Sequence, residues 1–245
     1  MLELKTDLHL HTSDDREDTV RHSAQDLIVH AANQGFKVLA ITNHDTFTYS
    51  RDLEKFASDH GILLIPGIEK EVEGKHILLL NAFPATEKIK TFEDLQKAKN
   101  DGLFVIAPHP FFKRKICLEN KLYEYVVLFD ALEFSFFYSK RFNCNQKALQ
   151  FSAEQGLPVV GNSDCHFLKY LGICHSIIRV EEQSMVGVFS AIRNKNIEIV
   201  SQPIFFPKLA TIYLEMLLNK YHDAFLSKNE KAIFKPEQKV EDVCV

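Results

Sequence analysis

The chain has 245 residues, of which 46% are hydrophobic, and its formal net charge is −4. This length suits one large α/β domain or two small ones. The mild acidity, with charges of both signs scattered along the chain, excludes a globally basic nucleic-acid coat protein but not a local basic groove. The five cysteines include no C-x-x-C pair, so no disulfide framework is expected. Without a signal-like or membrane-spanning apolar run, we expect a soluble, cytoplasmic protein with no membrane partner.

Short apolar runs alternate with helical stretches along most of the chain. The predicted strands are Leu4–Leu10, Val38–Thr42, Ile62–Gly67, His76–Asn81, Leu103–Ala107, Phe129–Phe134, Pro158–Asn162 and Ser176–Val180. The predicted helices are Ser23–Asn33, Phe92–Lys99, Phe142–Gln155 and Gln183–Arg193. This alternation of β and α elements predicts an α/β fold with a parallel sheet or a barrel of βα units.

The character of the chain changes after residue 203. Residues 1–203 form the predicted main domain, and residues 204–245 a C-terminal extension. Within this extension, Phe205–Phe225 is apolar at helical spacing and Lys228–Asp242 is charged. We predict a terminal helix that packs on the domain, followed by a mobile tail. The alternative is a helix that binds a partner or a second copy of the chain.

Residues that commonly bind metals recur at the ends of the predicted strands. Six of the 11 histidines lie there, together with two carboxylates: His9, His11, His44, His76, His109, His166, Glu69 and Asp164. Because the strand ends of a βα barrel converge on one face, we expect these side chains to meet. His76 fits less simply, since it begins its predicted strand.

The spacing within two of these groups supports a shared site. Residues two apart on a strand point to the same side, which places Asp7, His9 and His11 together, and likewise Asp164 and His166. Zn²⁺, Mn²⁺ and Fe²⁺ accept imidazole together with carboxylate. Six imidazoles and at least two carboxylates are too many for one tetrahedral ion, so the sequence predicts two or three divalent ions.

The motifs resemble those of the PHP (polymerase and histidinol phosphatase) superfamily. The match covers TDLHLHTSDD, AITNHDT, PGIE, the histidine before ILLLN, APHPFF and GNSDCH, in family order from residue 6 to residue 166. The resemblance implies a distorted (β/α)7-type barrel with a trinuclear zinc, manganese or iron centre at the C-terminal ends of the strands. The implied metal ligands are His9, His11, Asp15, His44, Glu69, His76, His109, Asp164 and His166.

The chain departs from the family pattern at two places. The family usually has an Asp or His five or six residues after the second histidine, where this chain has Arg16 and Glu17. Asp15 or Asp14 would then supply the ligand, and we predict Asp15. Asn43 stands where many members have an aspartate before His44, which changes the charge beside that ligand.

The predicted activity is hydrolysis of a phosphate ester by a metal-bound hydroxide, with Glu69, Asp164 and His166 in catalysis. The substrate would be a small phosphorylated metabolite or nucleotide, or the 5′ end of a short oligonucleotide. Arg114, Lys113 and Arg16 are the predicted phosphate contacts, although a basic cluster is often only a solvated loop. The rival interpretations are a metal-binding regulatory or structural module without turnover and an amidohydrolase that cleaves C–N bonds.

Overall fold

A nine-stranded sheet forms the centre of the computed structural model, which describes residues 1–218. In chain order the strands are β1 (Leu2–Leu10), β2 (Val38–Ile41), β3 (Leu63–Val72), β4 (Lys75–Leu80), β5 (Phe104–Ala107), β6 (Ala131–Ser135), β7 (Val159–Asn162), β8 (Cys174–Val180) and β9 (Ile197–Ser201). Their order across the sheet is β7-β6-β5-β4-β3-β2-β1-β8-β9. Every predicted strand is present, and β9 is the strand that was not predicted.

The sheet curls into a nearly closed barrel, which confirms the predicted fold class. The pairs β1–β2, β2–β3, β5–β6 and β6–β7 are parallel, whereas β4 runs antiparallel to both β3 and β5. The barrel nearly closes where β7, at one edge of the sheet, approaches β8. At this seam, the Gly161 amide of β7 donates a hydrogen bond to the Ser176 hydroxyl of β8. A Cβ on Gly161 would lie 2.7 Å from Ile199 of β9, so glycine permits this close approach.

Seven α-helices lie within the described residues. They are α1 (Ala24–Asn33), α2 (Arg51–Asp59), α3 (Phe92–Lys99), α4 (Asn120–Glu124), α5 (Asn145–Gln155), α6 (Met185–Arg193) and α7 (residues 206–218). Ser23 and Thr91 cap α1 and α3 through their side chains, each in a capping box, which fixes where those helices begin. The α5 helix begins three residues later than predicted, because Ser139 and Phe142 close a hydrogen-bonded turn before it.

The barrel interior is apolar and is closed at one end by α6. Alternate residues of the strands point inwards, among them Leu8 of β1 and Ile106 of β5, and pack against Val188 and Ile192 of α6. Phe189 of α6 stacks on Phe104 at the start of β5, with ring centroids 4.4 Å apart. The opposite end, where the parallel strands finish, therefore remains for polar side chains.

The terminal helix α7 packs beside that polar end. Leu209 and Ile212 are buried in a cluster with Phe136 and Cys174. Glu215 accepts hydrogen bonds from Lys169 and Tyr170, which follow β7 in the chain. The rest of the predicted helix Phe205–Phe225, and the tail Lys228–Asp242, lie outside the described residues, and the boundary at residue 203 stays a prediction. No helix within residues 1–218 is long and apolar enough to cross a lipid bilayer.

Candidate metal centre

Glu69 lies at the middle of the polar end of the barrel. It is buried on the long strand β3, and its two carboxylate oxygens face different imidazoles. Oε2 lies 2.9 Å from His9, 3.4 Å from His11 and 3.2 Å from His44. Oε1 lies 2.8 Å from His76 and 3.5 Å from His109. One carboxylate thus contacts five imidazoles from four separate parts of the chain.

His76 joins this group because β4 is reversed. The strands β3 and β4 are linked by Glu73 and Gly74, both with positive φ angles of 49° and 75°, as a type I′ hairpin turn requires. The start of β4 therefore lies beside the end of β3, where His76 pairs with Glu71. A histidine that begins an antiparallel strand consequently reaches the same edge as residues that end parallel strands.

Glu133 orients His9 from the far side of the imidazole. Its Oε1 lies 2.8 Å from His9 Nδ1 and accepts a hydrogen bond of 3.0 Å from the Asn162 amide. Its Oε2 accepts the backbone N–H of His109. Glu133 is fully buried in the middle of β6. The Nε2 atom of His9 is thereby directed towards Glu69, in the carboxylate–histidine arrangement that commonly positions a metal ligand.

Asp15 contacts the Nδ1 atoms of two histidines, which we call their outer nitrogens because the Nε2 atoms face Glu69. Its Oδ2 lies 2.8 Å from His11 Nδ1 and 2.9 Å from His44 Nδ1, and it also accepts the backbone N–H of His44. The neighbouring Asp14 is exposed. Asp15 is absent from every close group of potential ligand atoms within residues 1–218.

Asp164 and His166 follow β7 in an irregular turn rather than on the strand. Asp164 has a positive φ of 47°, and its Oδ1 lies 3.4 Å from His9 Nε2 and 3.3 Å from His11 Nε2. Asp7 supports this turn by accepting the backbone N–H groups of Ser163 and His9. Cys165, between the two site residues, packs into the apolar layer behind β1.

Four groups of three side chains bring potential ligand atoms within 4.8 Å of one another in the described part of the chain. They are His9 with His11 and Asp164; His11 with His44 and His166; Glu69 with His76 and His109; and Glu17 with His44 and His76. Each group offers imidazole and, in three of the four, carboxylate. These are donor sets for divalent ions such as Zn²⁺, Mn²⁺ and Fe²⁺.

Two imidazole nitrogens in these groups are buried without a well-directed hydrogen bond, although carboxylate oxygens lie 3.3–3.4 Å from them. They are Nε2 of His11 and Nε2 of His166, whose rings stack with centroids 4.1 Å apart. A buried polar nitrogen that lacks a hydrogen bond is costly. A bound cation would satisfy both nitrogens, so the residues present fit a metal centre.

Electrostatics keep the candidate carboxylate ligands ionised. Burial opposes the charge on Glu69, but the surrounding His9, His44 and His76 outweigh it and hold the pKa of Glu69 well below its ordinary value. The pKa of Asp164 is likewise held low, because His9 and His11 outweigh its burial. Metal ligation needs ionised carboxylates. Asp7 differs, since burial raises its pKa to about 7 despite its hydrogen bonds.

The centre opens into a cavity of about 170 Å³, which we call the metal-side cavity. It is lined by Glu17, Asp18, His44, Glu69, His76, His109, Arg114, Ile116, Asp164, His166 and, from α7, Tyr213, Met216 and Leu217. Of the predicted phosphate contacts, Arg114 lies on this lining, whereas Lys113 lines an adjoining cavity and Arg16 is exposed and lines neither.

Comparisons of the sequence and of the fold with known proteins relate the chain to a family. Residues 143–197 match the family model described as PHP-associated. The fold is similar to that of a two-domain protein from Bacteroides vulgatus named as containing a PHP-like metal-dependent phosphoesterase, with a TM-score of 0.64, 18% identity, and coverage of 88% of this chain and 70% of that one. The chain belongs to the PHP superfamily.

Two further proteins resemble this PHP chain. Endonuclease Q from Pyrococcus furiosus, a lesion-specific endonuclease, has a TM-score of 0.62 and 16% identity over 81% of this chain and 58% of that chain. An uncharacterised protein from Methanocaldococcus jannaschii is 30% identical over 118 residues, which cover 44% of this chain and 68% of that protein.

Two acidic residues of this PHP centre were not among the predicted site residues. Glu17 belongs to a close group with His44 and His76, and Asp18 Oδ2 lies 3.3 Å from His166 Nε2. The signal for Glu17 was present in the sequence, since it stands six residues after His11, where the family usually has a ligand. The family pattern does not predict Glu17 as a ligand, because it usually has Asp or His at that position.

Proposed function

We propose that the chain is a metal-dependent hydrolase that cleaves phosphate esters at a centre of two or three divalent ions. The observation that carries this proposal is the position of Glu69, whose two oxygens face imidazoles from opposite sides of the site. A carboxylate so placed would help to hold divalent ions together with the imidazoles on either side of it. The relatives named as a PHP-like metal-dependent phosphoesterase and as an endonuclease support phosphate esters as the substrate class.

The four close groups suggest which residues hold each ion. On one side of Glu69, the ligands are His9, His11 and Asp164; on the other, they are His76 and His109. His44 and His166 hold the third ion. We propose Glu17 as its carboxylate ligand, because Glu17 lies in a close group with His44, whereas Asp15 contacts the outer nitrogen of His44.

When bound, divalent ions would lower the pKa of a water nucleophile and stabilise the charge on the phosphoryl oxygens and the leaving oxygen. The protein supplies the positions of the surrounding groups. Glu133 and Asp15 fix His9, His11 and His44 by their outer nitrogens. Arg114, on the lining of the metal-side cavity, pairs with the anionic phosphate. Nδ1 of His166 lies 3.0 Å from the backbone carbonyl oxygen of Asp164, which orients the His166 ring on the same lining.

The size and lining of the metal-side cavity favour a small substrate. A cavity of about 170 Å³ is smaller than the pockets that hold drug-sized ligands. The protein also has a formal net charge of −4, which does not favour long nucleic acids. A phosphomonoester of a small metabolite or nucleotide is therefore the proposed substrate, with the 5′-terminal nucleotide of a short oligonucleotide as the second candidate.

A panel of phosphate esters tests the proposal. Purified protein is stripped with a chelator, reloaded with Mn²⁺, Zn²⁺ or Fe²⁺, and assayed for phosphate release from mononucleotides, sugar phosphates and short oligonucleotides. We expect activity only after reloading, and a loss of at least about a hundredfold in Glu69→Gln and His9→Ala. Glu93→Gln changes an exposed carboxylate away from the site and should retain activity. Full activity in Glu69→Gln would contradict the proposal.

A further inference from the structure

A second cavity, of about 220 Å³, adjoins the metal-side cavity and has a mainly apolar lining. We call it the aromatic cavity. Its lining includes the rings of Phe112, Phe136, Phe137, Phe142 and Tyr213. Phe136 and Phe112 are buried, whereas Phe142 is 42% exposed and Tyr213 is 53% exposed. The buried rings thus form the inner surface, and the two exposed rings lie towards solvent.

The two cavities are continuous. His109, Arg114, Asp164, Tyr213 and Met216 line both of them. Two of these residues, His109 and Asp164, belong to the groups that would hold metal ions. A molecule whose phosphate lies at the metal centre can therefore extend directly into the aromatic cavity.

The aromatic cavity carries two cationic side chains beside its apolar surface, together with Ser135 and the candidate metal ligands His109 and Asp164. Arg114 lies at the boundary with the metal-side cavity, and Lys113 lies on the lining of the aromatic cavity itself. Both side chains are cationic and suit an anionic ester. The remaining lining is dominated by the phenylalanine rings, which stack on flat rings and exclude water. The segment that supplies three of these rings, FSFFYSKRF, joins β6 to α5.

We propose that the aromatic cavity binds a flat aromatic ring carried by the alcohol part of the phosphate ester. The inference rests on the proposed function and names its substrate class. The cavity volume of about 220 Å³ lies below that of drug-sized pockets, so it suits one ring system rather than a long chain. The ring is either a nucleobase or a single carbocyclic ring, since both present the same flat face.

Binding of non-hydrolysable phosphonates tests the proposal without relying on turnover. The affinities of 2-phenylethylphosphonate and ethylphosphonate for the metal-loaded protein are measured by calorimetry. These two ligands share the anionic group and differ in the ring. We expect the phenyl compound to bind about tenfold more tightly, as stacking in a desolvated aromatic cavity implies. Equal affinities would overturn the inference.

Substitution of a ring at the edge of the aromatic cavity tests whether the phenyl group of the ligand binds there. Phe142→Ala should reduce the affinity for 2-phenylethylphosphonate about tenfold and leave that for ethylphosphonate unchanged. Phe205→Ala is the matched control, because Phe205 is 77% exposed and lines neither cavity. If both phosphonates lose affinity equally in Phe142→Ala, the ring does not lie in this cavity and the inference fails.

A second pair of ligands distinguishes the source of the ring. Adenosine 5′-monophosphate and ribose 5-phosphate both carry the phosphate on the primary 5-hydroxyl of ribose, and only the first carries a base. Tighter binding and higher kcat/KM for the nucleotide would support a nucleobase, whereas a preference confined to the phenyl pair would support a single carbocyclic ring. A preference for ring-bearing ligands without any hydrolysis would contradict the proposed function and leave the binding inference supported.

Discussion

Glu69 connects more of the candidate centre than any other described residue, because its two oxygens contact five imidazoles. The sequence predicted Glu69 from its place just after an apolar run. It did not predict that β3 continues beyond Glu69 to Val72. The strand continues because it pairs with the reversed β4 across the Glu73-Gly74 hairpin turn, which the predicted strand boundaries did not include.

Asp15 and Glu17 offer the sharpest comparison at the scale of single residues. Asp15 contacts the outer nitrogens of His11 and His44, whereas Glu17 lies in a close group with His44 and His76. We expect Glu17→Gln to reduce the number of ions bound per chain. Asp15→Asn should instead weaken binding about 10- to 100-fold while the number bound at saturation stays the same. Equilibrium dialysis with elemental analysis measures both quantities.

The reverse result would identify Asp15 as the ligand. In that case Asp15→Asn would lower the number of ions bound at saturation and Glu17→Gln would not. Asp14→Asn serves as the control for both variants, since Asp14 is exposed and adjacent in sequence.

Glu133 provides a second prediction at this scale. It accepts hydrogen bonds at both carboxylate oxygens, from His9 and Asn162 at Oε1 and from the His109 backbone at Oε2. In Glu133→Gln, one of these oxygens becomes an N–H donor that faces another donor. We expect metal affinity to fall about 10- to 100-fold, measured by competition with a coloured chelator. Unchanged affinity would show that Glu133 does not position the ligands.

Residue types and their spacing predicted much of the site but not its outer contacts. His9 and His11 stand out because they are two apart on an apolar strand. The contact between Glu133 and His9 spans 124 positions in the chain, and no local pattern specifies it. Cys117, whose Sγ lies 3.4 Å from His109 Nδ1, carries no sequence signal either.

At the scale of elements, the reversed β4 is what brings His76 into the site. The sequence contained a signal for this reversal, because a two-residue Glu73-Gly74 segment is too short to connect parallel strands. The strand predictions ended at Gly67 and began again at His76, which concealed the hairpin. The β9 strand and the α2 helix were not predicted. The β9 strand is short and half exposed, and the α2 sequence is mostly polar. Their positions depend on pairing and packing with distant elements.

The seam between β7 and β8 yields a prediction about how the fold supports the site. A Cβ on Gly161 would lie 2.7 Å from Ile199 and 3.0 Å from the carbonyl oxygen of His175. Gly161→Ala should therefore destabilise the metal-free protein by about 1–3 kcal/mol. Because Gly161 lies three residues before Asp164, we also expect weaker metal binding. Urea unfolding with a chelator present measures the first effect, and metal titration the second.

Gly156→Ala is the matched control for this prediction. Gly156 lies at the other end of β7, with a φ of 73° and no atom within 4 Å of an added Cβ. The strained backbone should cost about 1–2 kcal/mol of stability without altering metal affinity. If both variants weaken metal binding equally, general destabilisation rather than the seam at Gly161 accounts for the loss.

At the scale of the whole molecule, the barrel has one apolar end and one polar end. The α6 helix closes the first through Val188 and Phe189, and the candidate metal centre occupies the second. The α7 helix then supplies one wall of both cavities through Tyr213 and Met216. The apolar stripe of α7 predicted a helix that packs on the domain. The apolar stripe does not predict that other residues of α7 line the two cavities, because this depends on where the helix packs on the barrel.

A metal titration of the stripped protein tests the central claim, a centre of more than one ion that hydrolyses phosphate esters. Bound Mn²⁺ per chain and phosphate release from an active ester are measured on the same samples. We expect little activity until more than one ion is bound per chain, because the ligand groups on the two sides of Glu69 face the same cavity. Full activity with a single ion, or in the absence of metal, would contradict the account.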